Sequence, residues 1–113
     1  GELFGKAFEH FLFMELRAYR SYKSCDFDIH FWRTKTGLEV DFILGDAEIA
    51  LEVKGTRRVD NKDLRSIESF AERYRPRRTC VVCNEETPRL SGKIEILPWR
   101  HFLNMLWNGK IIR

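Results

Sequence analysis

Three strand-like segments follow one another between residues 27 and 54, and only short turns separate them. In the first segment, Phe27, Ile29 and Phe31 alternate with more polar neighbours, a pattern that is typical of a strand with one buried face. Turn residues at Thr36-Gly37 and Gly45-Asp46 separate it from the two later segments, Leu38 to Leu44 and Ile49 to Lys54. Strands joined by such short turns pair as antiparallel neighbours, so the sequence predicts a three-stranded meander.

Helical patterns flank this meander. From residue 2 to about residue 20, apolar side chains recur at helical spacing and predict one broad apolar face, formed by Leu3, Phe4, Phe8, Phe11, Leu12 and Leu16. Asp60 is typical of a helix N-cap, and Arg75-Pro76 ends the second helix. Thr79 to Cys83 indicates a buried central strand, and residues 94–97 a short strand before a last helix that opens at Pro98. The predicted order is αβββαβ, followed by βα.

Length and composition limit the possible classes of protein. A chain of 113 residues forms one domain, and an apolar content of 43% is enough for a core. No apolar run exceeds four residues, whereas a membrane-spanning helix needs about 20. Three cysteines without a secretory signal favour free thiols and a cytoplasmic location. Because the chain begins at Gly1, we expect it to be part of a longer polypeptide.

The charge balance is mildly basic, with 20 Lys and Arg against 17 Asp and Glu and a net charge of +3. Such a balance permits a polyanionic partner without requiring one. The basic side chains form two groups along the chain, Arg57, Arg58, Lys62 and Arg65 in the first and Arg73, Arg75, Arg77 and Arg78 in the second.

Acidic side chains occupy one predicted face of the hairpin. Strict alternation puts Val40, Phe42 and Leu44 on one face of the second strand, which places Glu39 and Asp41 on the other. The third strand, which reads Glu52-Val53-Lys54 at its end, adds a further carboxylate.

Two registers of this hairpin bring carboxylates together. If the loop is residues 45–48, Asp41 lies across from Glu52; if it is Gly45-Asp46 alone, Glu39 takes that place. Facing carboxylates destabilise a sheet unless a cation compensates them. Lys54 is one candidate and a divalent cation such as Mg²⁺ is another, since Mg²⁺ prefers oxygen ligands. An ordinary exposed face of mixed charge fits the spacing equally well.

A helix with a glutamate, a hairpin with an aspartate and a strand reading Glu-x-Lys resemble the PD-(D/E)XK nuclease superfamily. More narrowly, the sequence resembles the nuclease-like C-terminal domain of unknown function in prokaryotic AAA-type P-loop ATPases. The matching stretches are residues 5–11, 31–43 and 49–54, with a weaker match at 97–99. The resemblance implies a restriction-endonuclease-like α/β fold with an αβββαβ core, in which helices flank a mixed central sheet across residues 1–113.

The resemblance also implies a site. Asp41 and Glu52 match the catalytic metal ligands, Lys54 matches the catalytic lysine, and Glu9 matches a helix-borne acidic residue that reaches toward the metal. The implied reaction is hydrolysis of DNA phosphodiester bonds by water, with Mg²⁺ or Mn²⁺ as cofactor.

Further residues follow from the same comparison. Glu39 is an alternative metal ligand, and Gly5, one turn before Glu9, is expected to leave space for that carboxylate. Arg33, Arg57 and Arg58 are candidates for binding the DNA backbone, although ion pairs within the fold are an equally good explanation for them.

A second hypothesis is that the domain is catalytically silent and binds DNA or mediates assembly for the ATPase, because a fold can persist without its activity. We expect an ATPase domain in the same longer chain, no membrane contact, and a homodimer as a plausible assembly, since cleavage of both duplex strands usually takes two sites. His10, His30 and His101 form no constellation by spacing and are interpreted as surface or core groups.

Overall fold

The helices and strands follow one another along the chain in the predicted order, with one additional strand. A computed structural model describes residues 2–113 and has the α/β architecture that the sequence predicts. The elements are α1 (Glu2–Tyr22), β1 (Ile29–Arg33), β2 (Glu39–Leu44), β3 (Ile49–Val53), a 3₁₀ helix (Asn61–Leu64), α2 (Arg65–Tyr74), β4 (Arg78–Cys83), β5 (Arg89–Ser91), β6 (Ile94–Pro98) and α3 (Trp99–Trp107).

The six strands form one mixed sheet in the order β1-β2-β3-β4-β6-β5. Antiparallel pairing joins β1 to β2 and β2 to β3, which confirms the meander. The strands β3, β4 and β6 are parallel neighbours, so β4 is a central strand as its apolar sequence predicts. The carboxyl ends of these three strands therefore meet at one edge of the sheet.

Apolar layers cover both faces of the sheet. On one face, α1 and α3 pack through residues such as Leu12, Leu16 and Phe102, and on the other face α2 packs through Ile67 and Phe70. The buried strand β4 contributes side chains to both layers: Cys80 packs in the layer of α1 and α3, and Cys83 packs in the layer of α2. Both thiols are free, in agreement with the expectation that they are core residues.

The predicted apolar face of α1 is only partly correct. Phe8, Leu12 and Leu16 are buried as expected, together with Tyr19. Leu3, Phe4 and Phe11 are exposed instead. The buried residues recur every three or four positions and form one narrow stripe, and these three residues lie beside it or opposite it on the helix circumference.

A register shift between β1 and β2 places one extra residue in β2. Between the pairs His30↔Ile43 and Trp32↔Val40, Phe31 of β1 lies opposite both Asp41 and Phe42. The predicted alternation of β1 is kept, since Ile29 packs in the α1 layer and Trp32 in the α2 layer, although Phe31 is 72% exposed. The same irregularity separates Val40, which lies in the α2 layer, from Phe42, which lies in the α1 layer. The expectation that these two residues share a face is therefore wrong, since a bulge changes the face of every residue beyond it.

Local signals around the second helix are confirmed. The Asp60 side chain accepts a hydrogen bond from the Asp63 N–H, and the Asp63 side chain accepts one from the Asp60 N–H, which forms a capping box. The cap opens the 3₁₀ helix, which continues directly into α2, and α2 ends at Arg75 in a left-handed conformation. Pro98 precedes α3 as predicted.

Two further features complete the fold. The strand β5 at the sheet edge was not predicted, because its three residues are too few to show a period. Among the described residues, none of the helices combines the length and the apolar character that a membrane span requires.

The two aromatic residues of β1 lead to a prediction. The ring of Trp32 packs edge-on against Phe70 at 5.3 Å between centroids and against Tyr74 at 6.4 Å, whereas Phe31 is exposed to solvent. We expect Trp32→Ala to lower the free energy of unfolding by about 2–3 kcal/mol and Phe31→Ala to change it by less than about 0.5 kcal/mol. Urea unfolding of the two variants measures the difference, and a larger loss in Phe31→Ala would contradict this assignment of the two faces of β1.

Candidate metal and phosphodiester site

The site begins where the backbone pairing of β2 and β3 ends. The pairs Leu44↔Ile49, Ile43↔Ala50 and Phe42↔Leu51 are regular, and this is the register that the four-residue loop predicts. Continuing the register by one step places Asp41 across from Glu52. This confirms the first of the two predicted registers and brings the two predicted carboxylates together.

At this position, carboxyl oxygens accept the hydrogen bonds that backbone carbonyls would accept in a regular antiparallel pair. The Asp41 N–H donates to Glu52 Oε1 at 3.1 Å, and the Val53 N–H donates to Asp41 Oδ2 at 2.8 Å. Each carboxyl group is therefore held by the opposite strand. Both side chains are fixed at the end of the hairpin without a helix or a long loop to hold them.

Burial makes this pair electrostatically costly. Glu52 is only 5% exposed, and burial raises its pKa to about 9, with further contributions from the Asp41 charge and from a hydrogen bond to the Asp41 side chain. The Lys54 ammonium, with Nζ 3.6 Å from Glu52 Oε2, opposes the shift without cancelling it. A cation bound beside the pair would favour the charged form of Glu52 and so oppose this shift.

A pocket of about 600 Å³ opens beside Asp41, between α1 and the strands β1 and β2. Glu9, Glu39 and Asp41 line this pocket, together with the basic side chains Lys6, His10, His30 and Arg33. Burial raises the pKa of Glu9, and the negative charges of Asp41 and then Glu39 raise it further. The predicted helix-borne glutamate thus faces the predicted aspartate, whereas Glu52 and Lys54 do not form part of the pocket wall.

The donor set fits a hard divalent cation. Its members are carboxylate oxygens, the ligand type that Mg²⁺ and Mn²⁺ prefer. Burial first, and then the negative charge of Asp41, raises the pKa values of Glu9 and Glu52, and a cation bound beside them would favour their charged forms. In residues 2–113, no three or more His, Cys, Asp or Glu side chains lie together closely enough to form a metal-binding group. Asp41 and Glu52 are in contact, and Glu9 approaches them from α1 without joining them.

The predicted DNA-binding arginines differ in their surroundings. Arg33 Nη2 lies 3.0 Å from Glu39 Oε1, so this arginine is engaged in an ion pair at the pocket rim. Arg57 and Arg58 are exposed and form no ion pair within residues 2–113. In the second basic group, Arg77 pairs with Glu48 and Arg78 with Glu95. Arg57 and Arg58 therefore remain available to a partner.

The expected role of Gly5 is not supported. A Cβ atom at Gly5 would meet nothing within 4 Å, so this position does not relieve crowding around Glu9. The glycine that matters sterically is Gly55, directly after Lys54, where a Cβ would lie 2.8 Å from the Phe4 ring. Gly55 thus permits the close approach of α1 to the end of β3.

Sequence reasoning missed part of the pocket wall. Lys6 lies three residues before Glu9, which puts both side chains on one helix face, so helical spacing could have identified it. His10 and His30 were interpreted as surface or core groups, but both line the pocket. No local pattern identifies them, because α1 and β1 come together only in the folded chain.

Comparison with known proteins gives a family. Residues 4–102 match the family model described as a domain of unknown function, DUF4143. The chain belongs to the DUF4143 family. Comparisons of this DUF4143 domain with curated proteins and with solved structures found no match. The family description assigns no activity, and the nuclease resemblance stays a prediction.

The raised pKa of Glu52 leads to a pH-dependent prediction. A carboxyl group whose pKa rises from 4.5 to about 9 on folding contributes stability below pH 4.5, and this contribution falls as the pH rises toward 9. In metal-free buffer with EDTA, we expect the melting temperature of the wild type to fall across this range. Glu52→Gln, which carries no charge, should melt at least about 4 °C higher at pH 8.5 and should lose this pH dependence.

The control for this experiment is Glu39→Gln, which removes an exposed carboxylate that pairs with Arg33. We expect this control to keep the pH dependence of the wild type. A Glu52→Gln variant that follows the wild-type curve at every pH would show that Glu52 is ionised in the folded protein.

Proposed function

We propose that this domain hydrolyses phosphodiester bonds of DNA with a bound Mg²⁺ or Mn²⁺ ion. The observation that carries the proposal is the pair of hydrogen bonds that fixes Asp41 and Glu52 at the end of the hairpin, with Lys54 Nζ 3.6 Å from Glu52. Stability alone does not favour such an arrangement, because it buries a carboxyl group against another carboxyl group. Perturbed titratable groups of this kind are typical of functional sites.

In this proposal each side chain has one task. Asp41 and Glu52 would hold the cation, with Glu9 reaching it from α1. The cation, when bound, lowers the pKa of a water molecule and offsets negative charge on the scissile phosphate. The Lys54 ammonium would orient the attacking water and stabilise the negative charge that develops on the phosphate oxygens. Lys54 has the reach for this task because it lies on the same hairpin end as both carboxylates.

The DNA backbone would be held by Arg57 and Arg58, which follow Lys54 and form no ion pair within the described chain. Arg33 is a weaker candidate, since binding a phosphate would require it to leave Glu39. Backbone contacts of this kind position DNA without reading its sequence. The proposal therefore names DNA as substrate class and no preferred sequence.

The alternative function is a catalytically silent module that binds DNA or mediates assembly. The observation in its favour is that Lys54 Nζ already lies 3.6 Å from Glu52 Oε2, so the lysine has a partner within the fold. For either function, we propose that the domain is the C-terminal part of an AAA-type ATPase in the cytoplasm, on the basis of the sequence resemblance. A homodimer would supply the two sites that cleavage of both strands requires.

Replacement of Lys54 separates the two functions. We expect wild-type protein to nick plasmid DNA with Mg²⁺ or Mn²⁺, and Lys54→Ala to lose this activity by roughly 100-fold or more, because it removes a charge that stabilises the transition state. DNA binding in EDTA and the melting temperature at pH 7.5 should stay close to those of the wild type. The control Lys110→Ala removes an exposed lysine beyond the end of α3 and should retain full activity.

A folded wild-type protein that binds duplex, nicked, branched and single-stranded DNA but cleaves none of them with Mn²⁺ would contradict the nuclease proposal. In that case the binding module would be the better account of the fold.

A further inference from the structure

A second cleft, of about 960 Å³, lies at the sheet edge where the carboxyl ends of β3, β4 and β6 meet. Its walls come from three elements that are distant in sequence. The segment after β3 contributes Arg57 and Arg58, the connection from β4 to β5 contributes Asn84 and Glu86, and the first turn of α3 contributes Arg100 and His101 as well.

Positive charge predominates in this cleft. Arg57, Arg58 and Arg100 are exposed, and none of them forms an ion pair within residues 2–113. Of the two acidic residues in the wall, Glu85 is engaged by Arg89 at 2.8 Å, so Glu86 is the acidic side chain that remains exposed. Three arginines therefore line one concave surface on which Glu86 is the exposed acidic side chain, and such a basic surface is the electrostatic footprint of a polyanion site.

A buried ion pair fixes one wall of the cleft. The Glu85 carboxylate accepts hydrogen bonds from the Val59 N–H at 2.7 Å and from the Arg89 guanidinium, which also donates to the Val59 carbonyl at 2.8 Å. The Arg89 hydrogen bond lowers the pKa of Glu85 to about 2. These hydrogen bonds join the segment after β3 to the connection from β4 to β5. Arg57 and Arg58 directly precede Val59, so the same contacts hold the backbone beside them in place.

The opposite wall is the start of α3. No side chain caps this helix at Pro98, and its first turn contains no acidic residue. The Arg100 guanidinium lies over the Trp99 ring at 4.7 Å from the ring centre, a contact that limits its freedom. The partial positive charge of the helix start adds to that of the arginines.

We propose that this cleft binds the phosphate backbone of the DNA strand on which the carboxylate site acts, a few nucleotides from the scissile bond. The identity of the ligand rests on the proposed function. Arg57 follows Lys54 by three residues, a separation of at most about 10 Å, so one strand of DNA can contact both sites. Arginine suits this role because its planar group matches phosphate oxygens in pairs. Arg100 and His101 lie beyond the αβββαβ core, so the nuclease resemblance does not itself predict their contribution.

The test measures DNA binding without catalysis. Fluorescence anisotropy of labelled duplex DNA, in EDTA and across a range of NaCl concentrations, gives the affinity and its salt dependence. We expect the double variant Arg100→Gln/His101→Gln to bind about 10-fold more weakly at low salt. Its salt slope should become shallower by roughly 0.9 for each phosphate contact that is lost. Both residues are exposed, so the melting temperature should stay near that of the wild type.

The matched control is Arg75→Gln. This exposed arginine ends α2 near the amino ends of β3 and β4, on the opposite edge of the sheet, and its loss also lowers the net charge by one. We expect its salt slope to equal that of the wild type. A second variant should change the DNA affinity in the opposite direction. Glu86→Gln removes the exposed carboxylate of the cleft and should tighten DNA binding a few-fold.

The outcomes separate this proposal from the proposed function. Wild-type protein that nicks DNA, with an unchanged salt slope in the folded double variant, would overturn the cleft and leave the nuclease proposal standing. A wild type that binds DNA through the cleft but never cleaves it would overturn only the nuclease proposal. If the double variant fails to fold, the Glu86→Gln variant tests the proposal instead. Unchanged DNA affinity in that variant, or no DNA binding by the wild type, would overturn the proposal that this cleft binds DNA.

Discussion

The contact between the Asp41 and Glu52 carboxyl groups is the interaction on which the account of this domain depends. It lies one residue beyond the last regular pair of the β2–β3 hairpin, where each carboxyl group accepts an N–H from the opposite strand. Burial and the neighbouring charge of Asp41 raise the pKa of Glu52, so the charged form of this carboxyl group is unfavourable in the free protein. Under the proposed function, a divalent cation would stabilise that charged form, because it would add a favourable charge contact.

The sheet topology explains why the other candidate site residues lie near this contact. Parallel pairing of β3, β4 and β6 brings their carboxyl ends to one edge, where Lys54 and the arginines that follow it emerge. The helix α1 carries Glu9 and crosses the same end of the sheet, where Gly55 allows its close approach. Two clefts result: Glu9, Glu39 and Asp41 line the first together with basic side chains, and three arginines line the second. Their combination would suit the proposed phosphodiester substrate, which needs neutralising groups at the reacting phosphate and along its backbone.

Sequence patterns predicted the parts of this structure that depend on local signals. Turn and capping residues indicated the element order, and the sequence left two hairpin registers open, of which the structure has the one that pairs Asp41 with Glu52. The alternation rule failed in β2 at Val40, because a bulge depends on strand pairing and leaves no period in the sequence. The ion pair of Glu85 and Arg89 was also missed, since these residues meet in an irregular connection.

The central claim is that the hairpin carboxylates hold a divalent cation, and crystals of the domain soaked in Mn²⁺ test it most directly. Anomalous scattering locates Mn²⁺ independently of any assay. The account predicts a strong anomalous peak within bonding distance of Asp41 and Glu52, with the Glu9 carboxylate turned toward it. The same peak should disappear in the Glu52→Gln variant. Well-ordered crystals of the wild type without density at this position, or with Mn²⁺ bound only elsewhere, would contradict the claim.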